Sequence, residues 1–313
     1  MADRAAERWR GIFTILLTPF AEDSSLDEES LRREVDFVIA AGAHGIVTPV
    51  NTSEFFLLAD DERRRLAEVV VDRAAGRVPV VIGTAAPVTS AAVGLTRHAR
   101  ATGAAGVIAM PPYVVPLGTD GVLDYYSRIA EAADGLPVVL QNVGGQVGVP
   151  MRADAVVKLA QAVPAIRYVK EETLPSTHRI SELLAVAGDT LDGVFGGSGG
   201  RALVDELQRG ACGLMSGCQL VDAQVKVYNL LLAGDEAGAR AAFARQLPAQ
   251  THWGSIGLKV AKEVLRRRGV FRTTVTRKPD RELDAHDHAE ITWALGLAAP
   301  DLIPTGTLAG ATR

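Results

Sequence analysis

The chain has 313 residues, 48% hydrophobic and 22% charged, with a formal net charge of −4, a composition that suits a folded globular chain with a sizeable core. Its densest basic clusters, Arg63 to Arg65 and Arg266 to Arg268, fall in helical patterns that read as solvated faces, which excludes a basic stripe for nucleic acid. Cys212 and Cys218 lack a CxxC or histidine partner, the opening MADRAAERWR has no apolar core, and no uncharged apolar run nears the roughly 20 residues that span a membrane. A reduced, cytoplasmic protein is expected, with no metal site and no membrane or nucleic-acid partner.

After a polar tail over residues 1–10, GIFTILL at 11–17 reads as a buried strand ended by Thr18 and Pro19. Asp27 caps a helix over 30–41, whose Leu31, Val35, Val38 and Ile39 keep helical spacing until Gly42. A strand at 45–47 then runs into a polar loop from Thr48 to Glu54, and a helix follows over 59–74. The phrase repeats, with strands at 78–82, 106–109, 137–140, 166–169, 191–195 and 212–215. Between them lie helices at 90–102, 120–133, 152–161, 180–187, capped by Ser176, and 201–208.

Strict alternation implies parallel strands, right-handed crossovers and helices outside, and eight such units close a (β/α)8 TIM barrel over residues 11–221. An open doubly wound sheet would place a glycine fingerprint after its first strand, where this chain has Thr18 and Pro19. Beyond Val221 amphipathic helices at 223–233, 236–244, 256–267 and 284–294 make a C-terminal helical extension, residues 222–300, punctuated by Pro248 and Gly254. Residues 301–313 read as a flexible tail.

In such a barrel the active site lies at the C-terminal strand ends. There the chain places Asn51, Thr52 and Ser53; Gln141 and Asn142; Lys170, Glu171 and Glu172; Gly196, Gly197 and Ser198; and Ser216 with Gly217. Lys170 ends the apolar run AIRYV, where a core gives way to a pocket and desolvation turns an ammonium into a nucleophilic amine. The alternative for that lysine is a strand-end ion pair with Glu171 or Glu172. Small hydroxyls, amides and glycines suit a carboxylate held by neutral donors. His44, His98, His178 and His252 are isolated, and His286 and His288 do not share a helix face.

The order of these motifs resembles the dihydrodipicolinate synthase and N-acetylneuraminate lyase family of Schiff-base enzymes. The matching pieces are LLTPF from Leu16, the Asn51 to Glu54 loop, PPY ending at Tyr113, QNV with QVG between Gln141 and Gly148, VKEET from Val169, FGGSGG from Phe195, and GLMSG from Gly213. The resemblance implies that Lys170 forms an imine with a 2-keto acid, with no other cofactor. It also implies that Asn51, Thr52 and Ser53 hold the carboxylate, that Tyr113 belongs to the site or to a neighbouring subunit, that Gly197 and Ser216 contact substrate, and that the assembly is a homotetramer.

The departures decide the reaction expected. Most of the family carries a proton-relaying tyrosine where this chain has Gln141, and a carboxamide has no usable acid–base pKa. A basic residue is likewise missing from the loop Gly145-Gln146-Val147, and Val114 stands where the synthase has a second aromatic. Proton transfer then falls to Glu172, two residues beyond Lys170 and so on its face of the strand, while Glu171 points away. An imine beside a carboxylate suits β-elimination, and this residue pair resembles that of the family's dehydratase branch, which implies dehydration of a 2-keto-3-deoxy sugar acid, L-2-keto-3-deoxyarabonate to 2-oxoglutarate semialdehyde being the first choice. A class I pyruvate aldolase, a 4-hydroxy-tetrahydrodipicolinate synthase-like enzyme and a non-catalytic 2-keto acid binder are the alternatives.

Overall fold

The computed structural model describes residues 8–144 and 150–304. Eight strands form a closed barrel: β1 Gly11–Ile15, β2 Gly45–Thr48, β3 Val80–Gly83, β4 Gly106–Ala109, β5 Val138–Asn142, β6 Ile166–Glu171, β7 Gly193–Gly196 and β8 Gly213–Leu214. Each pairs in parallel with the next, and β8 returns to β1 through Gly11 opposite Gly213 and Ile12 opposite Leu214. The helices between them are α1 Glu28–Ala40, α2 Asp60–Ala74, α3 Thr89–Thr102, α4 Thr119–Ala133, α5 Ala153–Ala162, α6 Ser176–Ala187 and α7 Leu203–Gln208. The TIM barrel expected from strand–helix alternation is therefore the fold.

Side chains alternate along each strand, so half of them fill the barrel and half meet the helices. Phe13, Ile15, Val47, Val81, Ile108, Val139, Tyr168, Phe195 and Met215 make the inner cluster, while the other face packs beneath the helical ring. The barrel floor is closed by Trp9, within the stretch read as a tail. Its ring stacks on Tyr168 at 4.9 Å and leans on Phe13 at 5.3 Å, and its backbone N–H donates to the Tyr168 hydroxyl at 2.8 Å. With one end plugged by aromatic rings, a small molecule has to approach from the C-terminal strand ends.

After β8 come α8 Val221–Leu232, α9 Glu236–Ile256, α10 Leu258–Arg267 and α11 Ala285–Ala298. The helix expected over 236–244 does not end before Pro248 and Gly254 but runs through both as α9 and stops at Gly257, whose φ is 130°, while the helix expected over 256–267 is α10. Proline inside a helix costs about 3 kcal/mol through its missing N–H and ring clash. Burial of Ala242, Gln246, Ala249 and Gln250 along that helix offsets the cost. Tertiary packing has overridden the local stop signal. No helix among the described residues is long and apolar enough to cross a membrane.

Candidate active site

Strand alternation stacks the site on the core. Tyr168, Lys170 and Glu172 follow one another at two-residue steps along β6 and just past its end, so Lys170 stands directly above the aromatic layer at the C-terminal end of the barrel. The β5–β6 register sets Gln141 opposite Lys170 and Asn142 opposite Glu171. Lys170 is 2% exposed, and its Nζ lies 2.9 Å from Glu172 Oε2. Gln141 Nε2 donates to that same oxygen at 2.7 Å, and the Ser198 N–H donates to Glu172 Oε1 at 3.2 Å. One carboxylate thus gathers an amine, a carboxamide and a backbone amide, donors that orient it towards Lys170.

Glu171 occupies the other face. It accepts from Asn142 Nδ2 at 2.7 Å and from the Thr173 N–H at 2.8 Å, and burial pushes its carboxyl above the usual range. Gly197 makes room for Glu172, since a Cβ there would sit 2.5 Å from Glu172 Cγ. Lys170, Glu172, Gln141 and the Ser198 backbone N–H thus form one connected cluster at this mouth.

The loop after β2 turns at Asn51–Ser53. Ser53 is fully buried, and its hydroxyl donates to the Leu16 carbonyl at 2.5 Å while accepting from the Val50 N–H at 3.2 Å. It therefore holds the loop to the first strand, and the part-exposed Asn51 and Thr52 are what the loop offers a ligand. Asn51 Oδ1 is buried with no hydrogen-bond partner among the described residues. Glu54 braces the turn from behind, accepting from Lys262 Nζ at 2.7 Å and from the Arg277 and Lys278 N–H groups at 2.8 and 2.9 Å.

Ser216 is buried, its hydroxyl accepting from Gln224 Nε2 at 2.8 Å and its carbonyl from the Ile15 N–H at 2.7 Å. Tyr113 meets Phe56 and Phe55 edge-on at 5.0 and 5.8 Å, in a patch that also exposes Val114 and Val115. Its ring packs on that patch, on Phe55 and Phe56. Residues 145–149, which carry the whole QVG motif and the loop lacking a basic residue, lie outside the described residues. Among the described residues no group of three His, Cys, Asp or Glu side chains could hold a metal ion.

Two members of this neighbourhood escaped sequence reading. Ser176, expected to cap α6, instead donates its hydroxyl to Glu206 Oε1 at 2.6 Å. Glu206 lies on α7 and is 1% exposed, and burial pushes its carboxyl up to about 7. Nothing in the local pattern marks a glutamate on a short polar helix as buried.

The chain matches the dihydrodipicolinate synthetase family over residues 8–296. It is 31% identical over 295 residues to L-2-keto-3-deoxyarabonate dehydratase of Azospirillum brasilense, covering 93% of this chain and 95% of that protein. It is 34% identical over 242 residues to 4-hydroxy-tetrahydrodipicolinate synthase of Methanothrix thermoacetophila, with 77% and 80% covered. Among solved structures, dihydrodipicolinate synthase from Rhodopseudomonas palustris superposes with a TM-score of 0.86 at 29% identity, over 93% of this chain and 98% of that one.

Proposed function

We propose, since this chain belongs to the dihydrodipicolinate synthetase family of lyases, that it is a hydro-lyase that dehydrates a 2-keto-3-deoxy sugar acid through an imine on Lys170, with L-2-keto-3-deoxyarabonate as the first candidate. The observation that carries the reading is the shared carboxylate: Glu172 Oε2 lies 2.9 Å from Lys170 Nζ, and Gln141 donates to the same oxygen. Where a tyrosine would relay protons, this chain has an amide that can only donate and accept hydrogen bonds. A carboxylate beside the amine supplies the acid–base group instead.

The Lys170 amine adds to the C2 carbonyl and water leaves, giving the imine. The imine acidifies C3–H, and the Glu172 carboxylate takes that proton to leave an enamine. Glu172, now an acid, returns the proton to the C4 hydroxyl, which departs as water while the C3–C4 double bond forms. In the five-carbon case a proton then moves from C5 to C3 through the conjugated imine, the resulting C4–C5 enol gains a proton at C4 as its C5 hydroxyl gives one up, and hydrolysis of the imine frees Lys170 and 2-oxoglutarate semialdehyde. Asn51 and Thr52 would hold the substrate carboxylate, with Ser53 fixing their turn, and Gln141 would position the C4 hydroxyl. Gly197 and Ser216 would line the same mouth. Tyr113 with exposed Phe56, Val114 and Val115 suits a subunit contact, in keeping with a cytoplasmic homotetramer.

The test is turnover. Incubation with the L- and D-2-keto-3-deoxypentonates and with a hexonate should consume one of them and release the corresponding dehydrated product, the semialdehyde in the five-carbon case. Borohydride with pyruvate should trap a covalent adduct on Lys170 that Lys170→Ala abolishes. Trapping without consumption of any of the three acids would sink the dehydratase reading in favour of a keto-acid binder, and retro-aldol release of pyruvate would favour an aldolase. Consumption of pyruvate with aspartate semialdehyde would favour the synthase chemistry named for the 34% identical relative.

A further inference from the structure

Three carboxylates converge where β6 and β7 end. Glu172 faces Lys170, Glu171 faces Asn142, and Glu206 comes up from α7 beneath β7. Glu206 receives the Ser176 hydroxyl on Oε1, while its Oε2 is buried with no partner among the described residues. That oxygen rests on the backbone of the last β7 residue, for a Cβ on Gly196 would stand 2.0 Å from it. The next residue, Gly197, lies against Glu172, and the one after, Ser198, holds Glu172 Oε1 through its N–H.

This turn does not keep its shape unaided. Ser198, Gly199 and Gly200 have φ of 51°, 70° and 75°, and a serine in the left-handed region persists only where its surroundings impose it. From above, Trp253 lies 3.1 Å from where a Gly199 Cβ would be, and Arg201 Nε donates to the Ser198 carbonyl at 3.1 Å. From below, the support is Glu206. The carboxylates close enough to act on it are Glu172 and Glu171 from the β6 end and Asp205 on its own helix, with Ser176 of α6 its hydrogen-bond donor and the Gly196 backbone against it on the β7 side. A negative charge here would meet three others; a neutral acid meets none of that repulsion.

We propose that Glu206 is a positioning residue for Glu172: it braces Gly196 from behind and fixes the Gly197–Ser198 turn that aims the Glu172 carboxylate at Lys170. The inference rests on Glu172 moving the C3 proton, as argued above. Hydrogen–deuterium exchange at C3 of pyruvate, followed by NMR in heavy water on the full chain, reads that proton transfer without any sugar acid, and borohydride trapping of pyruvate reads imine formation separately.

At pH 6, Glu206→Gln, neutral and of the same shape, should exchange within about twofold of wild type, whereas Glu206→Ala should lose roughly 10²-fold in exchange while still trapping pyruvate, the scale expected when a catalytic group is misplaced by about 1 Å. Wild-type exchange should also fall as pH rises through about 7, where Glu206 ionises, and Glu206→Gln should lack that fall. Full exchange in Glu206→Ala, or the same fall in Glu206→Gln as in wild type, would overturn the proposal. Should the alanine variant fail to fold, the glutamine profile decides. Unchanged exchange in Glu172→Gln would instead remove the premise about Glu172, and the proposal with it.

Discussion

Lys262→Met tests how the C-terminal helices hold the mouth of the barrel. Lys262 sits on α10, fully buried, with its Nζ 2.7 Å from Glu54 Oε1, 2.7 Å from the Val275 carbonyl and 4.6 Å from the Phe20 ring centre. Burial pulls its ammonium below the ordinary lysine range, so the pair survives in a poorly solvated place only because each charge has its counterpart. Methionine roughly preserves the volume, which keeps the cavity penalty small. What it leaves is the Glu54 carboxylate, buried, hydrogen-bonded to the Arg277 and Lys278 amides and without its lysine ion pair. Breaking one side of a buried pair costs about 3–5 kcal/mol, and the lost contact with Phe20 adds about 1 kcal/mol. For a fold whose stability is on the order of 5–15 kcal/mol that is a large fraction.

Urea unfolding at fixed protein concentration and pH 7 measures the loss. The double variant Glu54→Gln with Lys262→Met should recover more than half of it, because glutamine removes the orphan charge yet still accepts from the two amides. Glu54 directly follows the Asn51–Ser53 turn, so the single variant should also need several-fold more pyruvate for half-maximal borohydride trapping. A single variant destabilised by less than about 1 kcal/mol, or a double variant no more stable than the single, would refute the reasoning.

Glu34 is fully buried, accepts from the Leu17 N–H at 2.9 Å and from Cys218 Sγ at 3.0 Å, and is pushed up to about 8 by burial. A carboxyl whose folded pKa exceeds its unfolded value binds protons more tightly when folded, so stability should decline as pH rises from the unfolded carboxylate range to about 8. The decline attributable to Glu34 is on the order of 4–5 kcal/mol. Glu34→Gln should flatten it in urea melts between pH 5 and 8, and an unchanged slope would count against the assignment. Gly197→Ala places a methyl 2.5 Å from Glu172 Cγ, so turnover should drop roughly 10²-fold while pyruvate trapping at Lys170 persists. Equal losses in both assays would mean that the damage reaches Lys170 and not Glu172 alone.

The barrel was legible because its signals are local. Apolar runs such as GVIA over Gly106–Ala109 and stops such as Gly103 recur at short range, and eight of them leave one closed arrangement for parallel strands. The β6 end was legible for the same reason: period-two alternation puts Glu172 on the face of Lys170, and the structure sets their side chains 2.9 Å apart. Pro248 misled because a helix stop is a preference of about 3 kcal/mol, which burial along α9 outweighs.

What the amino-acid order determined alone was therefore periodicity: which residues lie on strands, which strand ends are polar, and which side chains share a face. Only the tertiary structure decided how those polar groups are spent. It turned the Ser53 hydroxyl back to Leu16, gave Glu54 to Lys262 across 208 residues, and buried Glu206 under Gly196. Hydrogen bonds and burial depend on where distant segments meet, and local periodicity carries no record of that meeting.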